Sequence, residues 1–514
     1  MSLSSALNII SSSFAANAAQ MAVVSGNITN ANTTGYSLKT ANVATNSYGG
    51  ADVVSVTRAA DIALLDQVLT STSQAASQQA LSTGLTALAA TVSDSSAASS
   101  SSGATQDGQS PSAMLSNLQS ALATYQASPN SESAGDAVVT AADDLASSLN
   151  NGSAAVQQVR QQADAGMASS VATINSLLDQ FTQVNNTIVG GLHSGADVTN
   201  AEDSRDNILT QLSQQIGIST VTNSNGSMSI YTDSGVTLFQ DTPSTVAFTP
   251  STTLTAGVNG NAVTVGGVPI TGPSAPMAIQ SGALAGLANL RDTVAPEYQA
   301  QLDQISNGLI SAFAETPQST ASTSSPTPPP ALPGLFTYSG AAGMPTTSTG
   351  LASLIEVNPS VDPSQGGNVD LLRDGGIADS TDAFPSTTGG SVYTYNTTGA
   401  ASYGGRISDL ISGLSATQAF DPSAGLGSSD SLSDYANASV SWLQAQNQQA
   451  SDQSTYQTSL VTQATGALSN ATGVNLDAEM NNMLNLENTY TTSAKLLTTV
   501  DDMFNSLLAS ITPG

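Results

Sequence analysis

Apolar residues near the start of the chain fall at Leu3, Leu7, Ile10, Phe14, Met21, Val24 and Ile28, in alternating steps of three and four. Asn17 is the one polar residue in that series. Near the end a second stripe runs through Leu476, Met480, Met483, Leu486, Tyr490, Ala494, Leu497, Val500, Phe504, Leu507 and Ile511. This spacing packs one helix lengthwise on another. It predicts a helix over 3–32 and another over 476–511. Residues 3–28 would then span roughly 39 Å and residues 476–511 roughly 54 Å. Burying the seven large side chains of the first stripe is worth on the order of 10–20 kcal/mol gross. The rest of that helix is Ser, Asn and Thr, which are modest helix formers. The ends are therefore expected to be disordered in the isolated chain and to fold on assembly. The plainer alternative is an intramolecular helical hairpin.

Between the stripes the period changes twice. Asn30 to Gly35 is a turn cluster, and Val53 to Thr57 reads as a short strand. Ile62, Leu65, Leu69, Leu81, Leu85, Leu88 and Val92 keep helical steps. A small-residue loop over 93–108 precedes three helical stretches, 111–128, 131–150 and 153–192. From residue 216 the pattern turns to short β segments at 218–221, 228–231, 236–239 and 263–265. Asn225-Gly226, Ser234-Gly235 and Asn259-Gly260 punctuate them, which reads as antiparallel β. Helix returns over 281–315. Residues 316–334 are Pro-rich, with Pro328-Pro329-Pro330, and read as a stiff loop. Strand signals recur at 335–338 and 392–395, and helix at 405–418 and 428–469. The expected fold is α+β and multidomain. Paired N- and C-terminal helices form a coiled-coil-like inner domain (1–45 with 470–514). A long-helix bundle with a short β segment follows (46–190 with 400–469), and then a β-rich inserted outer domain (191–399).

Charge narrows the functional classes. The 514 residues carry a net charge of −29, and the only lysines are Lys39 and Lys495. Such a surface repels phosphate backbones and anionic lipid, so no nucleic-acid partner and no membrane insertion are expected. No run of about 18 uninterrupted apolar residues is found, and the first 25 residues lack a basic n-region. Export without a cleaved signal peptide is the corresponding expectation. There is no cysteine, which removes disulfides, thiol catalysis and thiolate metal sites. The single histidine, His193, has no second His or Cys to complete a metal site. Asp143-Asp144 and Asp501-Asp502 are adjacent in helices and so point apart, as solvated faces rather than catalytic dyads. Trp442, between Val440 and Leu443, reads as a packing residue. No phosphate loop, dinucleotide fingerprint, nucleophile elbow or EF-hand spacing occurs. No catalytic residue, cofactor or metal is expected.

The turn after the first helix is the most specific motif. Asn27-Ile28-Thr29-Asn30-Ala31-Asn32-Thr33-Thr34-Gly35-Tyr36 resembles the rod–hook signature of bacterial flagellar axial proteins, with Asn27, Asn30, Asn32, Thr33, Gly35 and Tyr36 as its motif positions. Ser37 brings it nearer to the hook-associated proteins of the hook–filament junction. Gly473 to Met480, Tyr490 to Lys495 and Thr499 to Phe504 are similar to the end of those proteins. Arg58 to Gln67, Asp203-Ser204-Arg205-Asp206 and Ser281 to Leu287 resemble their inner segments. The similarity is strong at the ends and patchy over 316–430.

The resemblance implies a structural adaptor of the flagellum that joins hook to filament. Its partners would be a ring of like subunits, the hook protein, the next hook-associated protein, the type III export apparatus and a cytoplasmic export chaperone. Its place would be the extracellular flagellum. The two apolar stripes would form the assembly interface. Two alternatives remain: another axial protein, such as hook or distal rod, and a secreted adhesin or hydrolase acting through 191–399.

Overall fold

The computed structural model describes residues 3–47, 49–93, 110–319, 329–341, 343–381, 383–387 and 390–511. All of the expected loop at 93–108 after Ser93, and the middle of the Pro-rich loop, therefore lie outside the described residues. Helix α1 is Leu3–Asn30, followed by strands β1 Lys39–Thr45 and β2 Ala51–Arg58, then α2 Ile62–Ala89. α3 is Pro111–Ala127, α4 Glu132–Ser194 and α5 Thr199–Gln215. Short strands follow: β3 Ile218–Thr222, β4 Met228–Thr232, β5 Thr237–Gln240, β6 Thr242–Pro243, β7 Val246–Ala247, β8 Thr264–Val265 and β9 Val268–Pro269. α6 (Ala283–Asn289) passes through a π-helical turn at Leu290–Val294 into α7 (Ala295–Ala312). The remainder is β10 Phe336–Tyr338, β11 Ile355–Val357, α8 Leu371–Asp374, α9 Gly405–Ser415, β12 Thr417–Ala419, β13 Ser429–Ser431, α10 Leu432–Thr472 and α11 Leu476–Ile511. The fold is α+β with helix dominant.

α4 is the spine, 63 residues long and so roughly 95 Å. Ser131 caps its start by accepting from the Ala134 N–H, and Gly195, left-handed at φ 73°, ends it. The expected break at 150–153 does not occur. Asn150 instead donates to the Ala352 and Ile355 carbonyls at 2.8 and 3.2 Å. A Cβ on Gly152 would stand 3.1 Å from Leu302 Cδ1. Helix-weakening residues here serve close packing of α7 on α4, and the rest of the helix carries the conformation across them.

Two cores divide the body. The first collects Val138 to Val159 of α4 with α3, α7, α9 and α10, and with residues 335–377. The second collects Met167 to Phe181 of α4 with α5, α6 and strands β3, β4, β5, β7 and β8. The stretch 191–399 is thus shared between both. The four-stranded antiparallel sheet runs β3-β4-β5-β6 and the three-stranded one β7-β8-β9. β1 and β2 form a hairpin, so strand structure begins earlier than the expected 53–57. The strand expected at 392–395 is absent. Only isolated bridges occur there, because Asp374 and Asp379 hold the segment in turns through Tyr395 N–H, Asn396 and Ser391. Trp442 packs on the first core, and His193 is exposed.

α2 and α10 pair antiparallel, with Ser454 donating to Gln79 and Thr86 to Asn447. This pair brings the end of α10 beside the start of α2, where the terminal helices attach. Ser4–Asn30 reaches, in length and mean hydropathy (1.2), what a membrane-crossing helix needs, although no uninterrupted apolar run is present. One side of that helix is occupied by α11.

Candidate assembly interface

α1 contains no charged residue, and α11 packs along it in the opposite direction. Three contacts set the register. Asn27 meets Glu479, Asn17 donates to the Leu486 carbonyl at 3.0 Å, and the Phe14 and Tyr490 rings meet edge-on with centroids 5.0 Å apart. The two stripes therefore face each other within one chain. Ala16, Asn17, Val24 and Asn27 are buried there, and Ile10, Phe14, Met21, Ile28, Met483, Leu486, Leu497 and Val500 are half-buried. Leu7, Leu476, Met480 and Tyr490 stay 40–57% exposed. Leu3 and Ile511 are the terminal residues of their helices. Asn17, the gap in the apolar series, is 4% exposed, and its Oδ1 has no partner.

The same register leaves an overhang. Continued along the helices, it sets Leu3 near Asp501, so the last turns of α11 run past α1. Every residue from Asp501 to Ser510 is exposed. Among them Met503, Phe504, Leu507 and Leu508 are 51–54% accessible, as are Leu484 (56%) and Leu496 (53%) higher on the helix. Leu508, five positions past Met503, lies back beside the expected stripe of α11; Leu484, Leu496 and Met503 form a second apolar row that the stripe reading missed. Polar Asn488, Thr492 and Thr499 interrupt it, which hid its period. A groove of about 280 Å³ lies between α1, β1 and α11, lined by Gln20, Val24, Lys39, Glu479, Asn482 and Leu486.

The turn motif divides into closing residues and clamp residues. Asn30 closes α1 by donating to the Gly26 carbonyl at 2.9 Å and accepting from Thr33 Oγ1 at 3.3 Å. Asn32 is exposed. Asn27 is fully buried and makes four bonds. Its Nδ2 donates to the Lys39 carbonyl (2.8 Å) and Glu479 Oε2 (2.9 Å), and its Oδ1 accepts from the Tyr36 hydroxyl (3.0 Å) and the Lys39 N–H (3.1 Å). Helix α1, the turn, β1 and α11 thus meet at one carboxamide, with every polar atom satisfied. Burial, then Asp203 and Glu479, pushes the Tyr36 phenol above its ordinary range, so it remains a donor. Gly35 is left-handed at φ 78°, and a Cβ there would overlap the Asn207 side chain of α5.

The clamp continues into the body. Ser37 Oγ donates to Asp203 Oδ1 at 2.5 Å, and Lys39 Nζ lies 3.3 Å from Asp203 Oδ2 while also contacting Asn200. Arg58, at the end of β2, reaches Glu202 (3.1 Å), Asp203 (3.2 Å) and Asp206 (2.6 Å). Burial works against the Arg58 charge, but Asp206, Glu202 and Asp203 outweigh it and hold the guanidinium protonated. The Leu38 N–H donates to the Thr472 carbonyl at 2.8 Å, tying the turn to the end of α10. Lys39, Arg58, Asp203 and Glu479 were not among the expected interface residues. Their signal was charge: in a chain with eight basic residues, two of them flank this hairpin.

No group of His, Asp and Glu among the described residues has metal-holding geometry. Asp143, Asp144, Asp501 and Asp502 are exposed.

Comparison with known proteins reaches the body and the C-terminal helix. Residues 101–321 match the family model of the flagellar hook-associated protein FlgK helical domain. Residues 464–510 match that of the flagellar basal body rod FlgEFG protein C-terminal segment. Together the two cover more than half of the chain. No curated protein matches it. Among solved structures, the flagellar hook junction protein FlgK from Burkholderia pseudomallei aligns at 21% identity with a TM-score of 0.41. That alignment takes in 53% of this chain and 46% of the other, so less than half of that protein's length is matched.

Proposed function

The chain belongs to the flagellar hook-associated protein FlgK family, and we propose that it is the structural adaptor that joins hook to filament. The carrying observation is the overhang of α11. Four large apolar side chains within Asp501–Ser510 are each about half accessible, where α11 runs past the end of α1. An exposed apolar row of this kind marks a protein interface. The terminal segments 1–45 and 470–514 act as one unit that enters a ring of like subunits through Leu484, Leu496, Met503, Phe504, Leu507 and Leu508. Contacts to the hook protein on one side and to the next hook-associated protein on the other complete the adaptor role. No chemistry is performed.

Most of the facing apolar residues of α1 and α11 are only half-buried, so assembly consolidates their order. Circular dichroism of the dilute chain, with and without residues 1–40, measures this. Full and unchanged helicity in both would mean the ends need no neighbour. Before assembly the same apolar row requires shielding, which a cytoplasmic export chaperone on 476–511 provides during passage through the type III apparatus. Residues 1–30 carry the export signal.

The test is a deletion strain. It should build a hook, lack filaments and release unassembled flagellin. Normal filaments with loss of a surface-binding phenotype would instead favour an adhesin acting through 191–399.

A further inference from the structure

Two motifs far apart in sequence, the turn at Asn27 to Lys39 and the acidic segment Glu202-Asp203-Ser204-Arg205-Asp206, meet in space. We infer that Asp203 is the positioning residue of a latch that fixes the direction in which the terminal helix pair leaves the body. The inference rests on the adaptor reading only for its consequence, since a subunit entering a ring must present its terminal helices at one angle.

The geometry has three parts. Asn27 joins α1 to α11 through Glu479 and joins both to the turn through Tyr36 and Lys39. The turn then reaches α5 at a single carboxylate. Asp203 accepts from Ser37 Oγ (2.5 Å) on the turn, pairs with Lys39 Nζ (3.3 Å) on β1 and with Arg58 NH1 (3.2 Å) on β2. Both strands of the hairpin and the turn that precedes it thus converge on one side chain, itself 6% exposed. Lys39 is 7% exposed and lies 4.3 Å from the centroid of the Tyr36 ring, which shields it from water. Charge-assisted bonds in such a site are directional and strong.

The alternatives for holding the joint are weaker. α11 connects to α10 through only Gly473, Val474 and Asn475, and the single backbone bond from Leu38 to Thr472 is a pivot, not a brace. Gly35 seats against Asn207 but donates nothing to it. Without Asp203, Lys39 and Arg58 keep Asn200, Glu202 and Asp206, which lie to either side of it on the same helix. The turn itself loses the bonds that the Ser37 hydroxyl and N–H donate to the body. The hairpin would stay near α5 but rock upon it.

The cysteine-free chain permits a clean measurement. Spin labels are placed at Gln183→Cys on α4 and Asn488→Cys on α11, both exposed, and pulsed dipolar spectroscopy reads their distance distribution in the full isolated chain. The parent should give one narrow peak. Asp203→Ala should at least double its width, and Ser37→Ala should widen it less. The melting of the body, followed by Trp442 fluorescence, should be unmoved. Asp203→Asn, which keeps an acceptor for Ser37 without the charge, should fall between parent and Asp203→Ala. A width unchanged in Asp203→Ala overturns the latch. If that variant unfolds α5, the double variant Ser37→Ala with Arg58→Ala asks the same question from the hairpin side, and an unchanged width there overturns it as well. Neither outcome touches the junction reading, which the deletion strain tests separately.

Discussion

The body and the terminal pair are built from the same kinds of residue and hold together by different means. Around α4 and α7, Val138, Leu145, Leu149, Leu302, Ile305 and Leu309 are buried to 1% exposure or less, in one core that several elements share. Among the described side chains of α11, no large apolar residue reaches that state, and the only buried one is the carboxylate Glu479. The body is complete within one chain. The terminal pair is organised by polar pins, Asn17 and Asn27, with an apolar surface left over. The difference teaches where stability and assembly reside: substitutions in the body should unfold the chain, and those at the ends should leave it folded and unassembled.

The largest effect expected is at Arg291, which is fully buried between Asp164 (2.5 Å) and Asp292 (2.8 Å). Arg291→Met would strand both carboxylates and cost about 3–5 kcal/mol in urea denaturation. A loss below about 1 kcal/mol would place the strength of the body elsewhere. Next comes Leu302→Ala, which opens a cavity against Gly152 and should cost about 2–5 kcal/mol. Its counterpart, Leu507→Ala, should change the stability of the isolated chain by no more than about 0.5 kcal/mol, yet abolish filament attachment in a complemented strain. Equal losses at the two sites would erase the contrast.

Gly35→Ala tests the joint between the regions. It forces a left-handed residue and overlaps Asn207, and should cost about 1–3 kcal/mol. The loss should appear as faster proteolysis of α1 and α11 and not as unfolding of the body. Asn17→Leu should act in the opposite sense. It removes a buried oxygen without a partner and fills the apolar series, so helicity of the ends should rise by about 1 kcal/mol of pairing, read by thermal circular dichroism. A fall in helicity would show that the bond to Leu486 matters more than the unpaired oxygen.

The smallest effect concerns pH. Burial raises the carboxyl pKa of Glu315, against the Ala378, Ile377 and Gly376 N–H groups and Arg406, and that of Asp303, against Ala352, Gly350 and Gln299. A carboxyl raised in the folded state stabilises it below the unfolded pKa, and that contribution is lost as pH rises through the raised value. The body should therefore gain slightly in denaturation midpoint as pH falls from neutral toward those raised values, above the ordinary carboxyl range. Asp374 has the reverse sign, because Arg373 and Asn396 outweigh its burial, and its contribution is lost at lower pH. A midpoint that falls steadily from pH 7 would contradict this balance.

Local pattern by itself determined the ends, the antiparallel β character after residue 216 and most of the long helices. Each depends on period and capping, which a run of residues carries within itself. Leu476 to Ile511 keeps helical steps throughout, and Ser110, Ser131 and Ser431 stand where caps are needed. Tertiary contacts decided the rest. Asn150 and Gly152 look like a break until α7 and the segment after it are placed against them. Val392 to Tyr395 looks like a strand until Asp374 and Asp379 claim its polar groups. The turn motif could be read as a family mark, but not as a clamp, because Asp203 is far from Ser37 in the chain and only folding brings them within hydrogen-bond reach. Spacing along one helix shows that a stripe wants a partner. Which partner it meets, and how much of the stripe is left over, depends on the register of α1 on α11, and that is set by side chains from opposite ends of the molecule.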